Sequence, residues 1–429
     1  MSDWQQISLG DLEAPVRRKP AAPPQGSRAS TNDGYSLRPL GEVMRLDIQR
    51  TPMKPATTYR LAGVLNAGQG LVAKGEFDGG DTGYAAMNVL RVDQVVMRKL
   101  TAWEGPITVV PDEFDGFVVS NEFPTFTLGP ELMPDWMRHV CRSPRLWTEM
   151  KNRVSGTVQR RKRLTPEQLL QIQLPIPPRE VQARIVEILD AVDDQITALD
   201  AEADALDDLW WALGREMAAA VTNEASVPLA SFCDISGGLT KNKKDLERPD
   251  LVEVPYLRVA NVHRHHLDLS DVAMIQTTQA KADKLRLRAG DILMNEGGDK
   301  DKLGRGHVWE DQIPDCIHQN HVFRVRVTDR RFDPYFVSAW GNTFGREWFE
   351  TFGTQTTGIA SINRATLSRF PVPDIQLSVQ QDWAGRLGAI VETMDSLRGQ
   401  ASSLRATRAS LAAGLLDRAI DIKSAELEV

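Results

Sequence analysis

Two stretches of this chain, LLQIQLPIPPREVQARIVEILDAVDDQITAL (Leu169–Leu199) and LSRFPVPDIQLSVQQDWAGRLGAIVETMDSL (Leu367–Leu397), align at a constant shift of 198 residues. In the first, the apolar positions continue as Ile185, Leu189, Val192, Ile196, Leu199, Ala203, Leu206, Trp210, Leu213 and Met217, in alternating steps of four and three. That heptad pattern calls for a long helix with a narrow coiled-coil seam. The second copy holds the same register with Trp383, Leu387, Ile390, Met394, Leu397, Ala401, Leu404, Leu411 and Leu415, broken only by Arg408 in the place of Trp210. Two matched helices in one chain can bury their seams on each other; a pair of core helices in a bundle is the plainer alternative. At 1.5 Å per residue each is roughly 50 to 60 Å long. Prolines mark where they start: Pro178 closes QLPIPP, and Pro371 and Pro373 stand in RFPVPD.

The regions ahead of each helix correspond more loosely. SLRPLGEVMRL (Ser36–Leu46) resembles ASVPLASFCDI (Ala225–Ile235), and LRVDQVVMRKL (Leu90–Leu100) resembles LRAGDILMNEG (Leu287–Gly297). Short β-branched runs such as ITVVP, GFVVS and VFRVRV predict strands, and WMRHVCRSPRLWTEM and PYFVSAWGNTFGREWFETF predict helices late in each half. The expected fold is α/β (α+β): two globular domains joined by two long helices that form an antiparallel coiled coil. The expected boundaries are a tail and flexible linker over 1–34, a first domain over 35–178, a central helix over 179–222, a second domain over 223–376, a C-terminal helix over 377–422 and a tail over 423–429.

At 429 residues the chain is too long for one ordinary core. No apolar run approaches the roughly 18 residues that span a bilayer, nothing at the N-terminus reads as a secretion signal, and cytoplasm is the expected compartment. Cys141, Cys233 and Cys316 are too scattered for a zinc cluster or a disulfide framework. The net charge of −7 argues against nucleic acid only as an average. DAVDDQITALDAEADALDD (Asp190–Asp208) holds no base, whereas KNRVSGTVQRRKR (Lys151–Arg163) holds no acid. With the charges segregated in this way, part of the chain can still meet DNA.

LLQIQLPIPPREVQARIVEIL, GDILMNEGGDKDKLGRGHVW and GTQTTGIASINRATLSRFPVP together resemble the DNA-specificity (S) subunits of type I restriction-modification enzymes, over about residues 35 to 420. The resemblance implies two target-recognition domains, each reading one half of a bipartite double-stranded DNA site, held apart by the helices as a ruler. It implies no catalysis and no cofactor or metal in this chain. S-adenosylmethionine is expected in two partner methyltransferase subunits, with restriction/translocase subunits joining them in phage defence. Two other readings stand beside it: a coiled-coil adaptor of a related defence complex without sequence reading, and a free-standing magnesium-dependent nuclease.

Base and phosphate contacts draw on Lys, Arg, Asn, Gln, hydroxyls and backbone amides. GTVQRRKRLT and GTQTTGIASINRAT occupy equivalent places in the repeat and are polar and glycine-flexed. They nominate Arg160, Arg161, Lys162 and Arg163 in one half, and Gln355, Thr356, Thr357, Asn363 and Arg364 in the other. DKDKLGRGHVWE (Asp299–Glu310) nearly fits a calcium loop, but Leu303 offers no oxygen at its fifth position. Its Lys300, Lys302 and Arg305 are nominated for DNA instead.

Weaker signals are set aside. Pro134, Asp135, Glu149 and Lys151 match a nuclease spacing but sit in helical sequence, and GQGLVA (Gly68–Ala73) lacks a strand-to-helix crossover. AspProTyrPhe at 333–336 lacks the second proline of an amino-methyltransferase loop. HisArgHisHis at 263–266 reads as a solvated or DNA-facing turn before it reads as a metal site.

Overall fold

A computed structural model describes residues 36–155, 162–240, 248, 250–356, 359–416 and 420. The chain forms two compact units. One holds the described residues up to Val186 with those from Leu415 onward, and the other is Glu187–Gly414.

In the first unit, strand Ser36–Pro39 pairs antiparallel with Gln173–Ile176. A four-stranded sheet follows in the order Met44–Leu46, Thr125–Leu128, Val95–Met97, Ile107–Val109. A five-stranded sheet runs Gln49–Pro52, Ala86–Val89, Val118–Val119, Thr58–Val64, Leu71–Asp78, with one parallel contact at Leu61 and Val118. Three helices, Pro134–Cys141, Pro144–Arg153 and Pro166–Leu170, each open on proline at a position whose N–H has no helical partner. Ser143 and Thr165 cap the latter two.

The second unit repeats this plan. Ser226–Pro228 pairs with Pro371–Pro373. Its four-stranded sheet runs Cys233–Ser236, Val322–Val327, Asp291–Asn295, Gly306–Val308, which is the first unit's order in equivalent strands. Three strands, Ala273–Thr278, Leu251–Leu257 and Ile317–His318, reproduce the hairpin and parallel contact of the five-stranded sheet without equivalents of Gln49–Pro52 and Ala86–Val89. The equivalence reaches single backbone angles. Asp93 and Gly290, aligned ahead of strands Val95–Met97 and Asp291–Asn295, are both left-handed, at φ 64° and 88°. Their amides donate to Val110 and Trp309 respectively. The mixed helix-and-sheet fold expected from the sequence is therefore the fold observed.

The long helices are Arg179–Ala220 and Leu377–Leu416. Within the second unit they run antiparallel, since Asp193 meets Arg408, Asp200 meets Arg405 and Glu216 meets Arg386. Leu199 and Ala203 pack with Leu397 and Ala401, flanked by Leu206 and Leu404. Every heptad position named from the sequence is buried or half-buried. The partners differ along the helix, however. Trp210, Met217, Trp383 and Leu387 join the core of the second globule with Phe336, Trp340, Phe349 and Phe370, and Leu213 and Ile390 pack against that core. Arg408 turns its place in the register into a double hydrogen bond, with Nε and Nη2 donating to the two oxygens of Asp193 at 2.7 and 2.8 Å.

Candidate nucleic-acid interface

Each long helix is tied to its globule by a glutamine in its first turn. Gln182 is fully buried; its Oε1 accepts the Met133 N–H at 2.8 Å, and its Nε2 donates to the carbonyls of Glu131 and Pro177, both at 2.8 Å. Gln380, also fully buried, accepts from the Asp333 N–H at 2.9 Å and donates to Arg331 and Ile375 at 2.8 Å. Met133 and Asp333 are the N-caps of the helices that begin at Pro134 and Pro334. An amide is the one uncharged side chain that both accepts and donates twice in this way. The two halves thus fix their loops to their long helices by the same three bonds.

The residues nominated for DNA fall in different settings. Arg160, Arg161 and Thr357 lie outside the described residues. Lys162 lends its carbonyl to the Thr101 N–H, and Arg163 bridges to Ser155 and pairs with Glu122 at 3.3 Å. Gln355 and Thr356 belong to strand Thr354–Thr356, which pairs with Ile359–Ser361. Asn363 caps helix Arg364–Ser368 by accepting the Thr366 N–H at 2.8 Å, and Arg364 is exposed at the first position of that helix. Thr165 does the same capping work 198 residues earlier.

The segment Asp299–Glu310 leads into strand Gly306–Val308, the antiparallel partner of Asp291–Asn295, and is not flanked by helices. Leu303 is buried in the core, and a Cβ on Gly304, at φ +65°, would meet Phe349 at 2.2 Å. Lys302 pairs with Asp299, Lys300 is exposed, and Arg305 is half-buried with its pKa lowered chiefly by burial. Arg264 fastens the loop by donating to the Asp301 carbonyl at 2.8 Å and to the Asn342 carbonyl at 2.7 Å.

That anchoring corrects the reading of HisArgHisHis as a solvated or DNA-facing turn. Arg264 lies over the Trp211 ring at 5.1 Å, and burial brings its pKa down to about 10. His265 is buried edge-on to Trp210, with its Nε2 at 3.2 Å from Asp207. Burial holds its pKa at about 4 despite that carboxylate. The segment is polar in sequence because it must satisfy a helix side and a loop backbone together, a demand that no local pattern displays.

The other signals resolve locally. Asp135 and Glu149 sit on two successive helices, each beside an arginine of its own helix, Arg138 and Arg153. Gly68 and Gly70, both left-handed, turn the hairpin between Thr58–Val64 and Leu71–Asp78 rather than opening a helix. Asp333 caps a helix by accepting the Phe336 N–H at 2.9 Å.

One charged group escaped the sequence reading. Arg324 and Arg326 stand on one face of strand Val322–Val327 and meet Asp234 and the fully buried Asp291. The alternation in VFRVRV was the available signal, since residues two apart share a face.

The repeated α/β globules, the glutamine clasps and the antiparallel long helices define a class of internally duplicated two-globule proteins. Residues 147–205 match the family described as type I restriction modification DNA specificity domain. No curated protein sequence matches the chain. Two solved structures are similar over nearly their full length. One, from work on complex assembly and conformational transition of the type I R-M system, shares 17% identity at a TM-score of 0.60, covering 91% of this chain and 99% of its own. The other, a type I restriction-modification system S subunit from M. genitalium, shares 12% identity at a TM-score of 0.50, covering 91% and 98%. The resemblance drawn from the sequence is borne out in the matched segment, residues 147–205, and in the fold shared with these two structures. Among the described residues no helix is long and apolar enough to cross a membrane.

Proposed function

We propose that this chain is the noncatalytic DNA-specificity subunit of a type I restriction-modification complex, reading a bipartite double-stranded target with one half-site per globule. The observation that carries the reading is the repetition itself: two globules of the same sheet order, each clasped to a long helix by Gln182 or Gln380. A protein with internal pseudo-symmetry suits a target with two spaced half-sites. Two methyltransferase subunits holding S-adenosylmethionine, and restriction/translocase subunits, would supply the chemistry in the cytoplasm. Asp135 and Glu149, the acids of the nuclease spacing, lie on helices beside arginines, which disfavours a free-standing nuclease.

Co-purification with a methyltransferase, followed by methylation mapping of DNA from cells with and without the gene, tests the proposal. A bipartite modified motif that depends on the gene supports it. Complex formation with no such motif favours a scaffold that does not read sequence, and magnesium-dependent cutting by the isolated chain favours a nuclease.

A further inference from the structure

The second unit contains a cleft of about 680 Å³ whose charged lining is mostly basic: Lys281, Lys284, Arg324, Arg326 and Arg364, with Asp234 the lone acid among the described residues of its wall. Its floor is the end of strand Cys233–Ser236 and the turn that follows, Gly237–Thr240. That turn lies tight against its neighbour, since a Cβ on Gly238 would sit 2.1 Å from the His318 carbonyl.

The two strand arginines are not equivalent. Arg326 is spent on the fully buried Asp291, which accepts from its Nε and Nη2 at 2.6 and 2.7 Å. Arg324 gives one Nη2–H to Asp234 at 2.5 Å, while its Nε is buried with no hydrogen-bond partner among the described residues. The Arg324 side chain is only 7% exposed. Directly across the strand register stands Ser236, whose Oγ is likewise buried and without a partner. Two donors on adjacent strands, both lining one basic cleft, thus lack acceptors. A buried polar group left unmet is costly, so an arrangement of this kind asks for an acceptor-rich anion.

We propose that this cleft is a seat for a backbone phosphate of the bound DNA, with Ser236 and Arg324 donating to its oxygens and Lys281, Lys284 and Arg364 supplying charge around it. The inference rests on the DNA-reading function proposed above and locates a contact within it. A phosphate fits better than a base edge. The Arg326 fork is held by Asp291, Arg324 is too deeply buried to reach a base edge, and among the described residues no Asn or Gln lines the cleft to read adenine. The contact therefore fixes the duplex in place and carries no sequence information. It also explains how a chain of net charge −7 holds DNA: the positive charge is local.

The test uses the full chain in its methyltransferase complex, with a duplex carrying the mapped motif and a scrambled duplex, titrated over a range of salt concentrations. Lys284→Gln with Arg364→Gln changes two exposed side chains and leaves the buried pairs intact; Ser236→Ala removes one donor. The double variant should weaken binding to both duplexes by a similar factor and reduce the salt slope by about one to two units, with the methylated motif unchanged. Ser236→Ala should weaken both duplexes alike without a change in slope. A folded double variant with unaltered affinity and slope overturns the inference, as does a changed motif at constant slope, which would signify base reading. Inorganic phosphate that binds the chain while the variants leave DNA affinity intact would mark a small-anion site and overturn it too. Failure of the unsubstituted complex to prefer the motif duplex would instead overturn the proposed function.

Discussion

The side-chain carbonyl of Gln182 accepts the backbone N–H of Met133 at 2.8 Å, and 198 residues later Gln380 makes the same bond to Asp333. Each glutamine also satisfies two loop carbonyls. Replacing either by leucine leaves one donor and two acceptors without their partner in a buried place. We expect a loss of about 3 kcal/mol or more from either substitution, read by chemical denaturation of the full chain. Stability within about 0.5 kcal/mol of the parent would show that the clasps are ornamental.

Gly304 stands where a calcium loop would also want glycine, but here the reason is Phe349 beneath it and a φ of +65°. Gly304→Ala should destabilise the second unit by about 1 to 3 kcal/mol through strain and displacement of that ring. Addition of calcium should leave the thermal midpoint of the parent chain where it was. A calcium-dependent rise would restore the metal reading.

His318 is fully buried; its Nδ1–H donates to the Val322 carbonyl at 2.7 Å, and its Nε2 has no partner. Burial brings its pKa down to about 4 from an ordinary 6.5, with Arg324 pushing the same way and Asp291 opposing. The unfolded chain therefore binds the extra proton first as pH falls. The stability tied to a neutral His318 is complete above about pH 6.5 and drains away between there and about pH 4. Between neutral pH and pH 5 the loss from this group is on the order of 2 kcal/mol. His318→Asn keeps an N–H donor without the titration, so its denaturation midpoint should depend less on pH over that window. An identical pH dependence in parent and variant would exclude His318 as the source.

If the long helices set the distance between half-sites, one heptad added to each, between Ala203 and Leu206 and between Ala401 and Leu404, lengthens both by about 10 Å. The matched insertion keeps the seam in register and should widen the spacer of the methylated motif by about 3 base pairs, at 3.4 Å per pair. Methylation mapping reads this directly. An unchanged spacer with full modification would remove the ruler from the proposed function.

Heptad spacing, a 198-residue repeat and proline punctuation are local, periodic signals, and by themselves they determined the two long helices and the doubled α/β plan. What a side chain touches was decided only by the tertiary structure. Trp210 and Trp383 satisfy the coiled-coil pattern yet pack into a globule core, because burial does not depend on which apolar surface provides it. Asn363, nominated for DNA, also caps a helix, and His265 looked exposed and is buried against Trp210. Polar side chains carry the same signature in sequence whether they face water, a backbone end or a ligand. The cleft of Ser236, Arg324 and Lys284 draws on residues almost 90 positions apart, brought together by strand pairing that no local window contains.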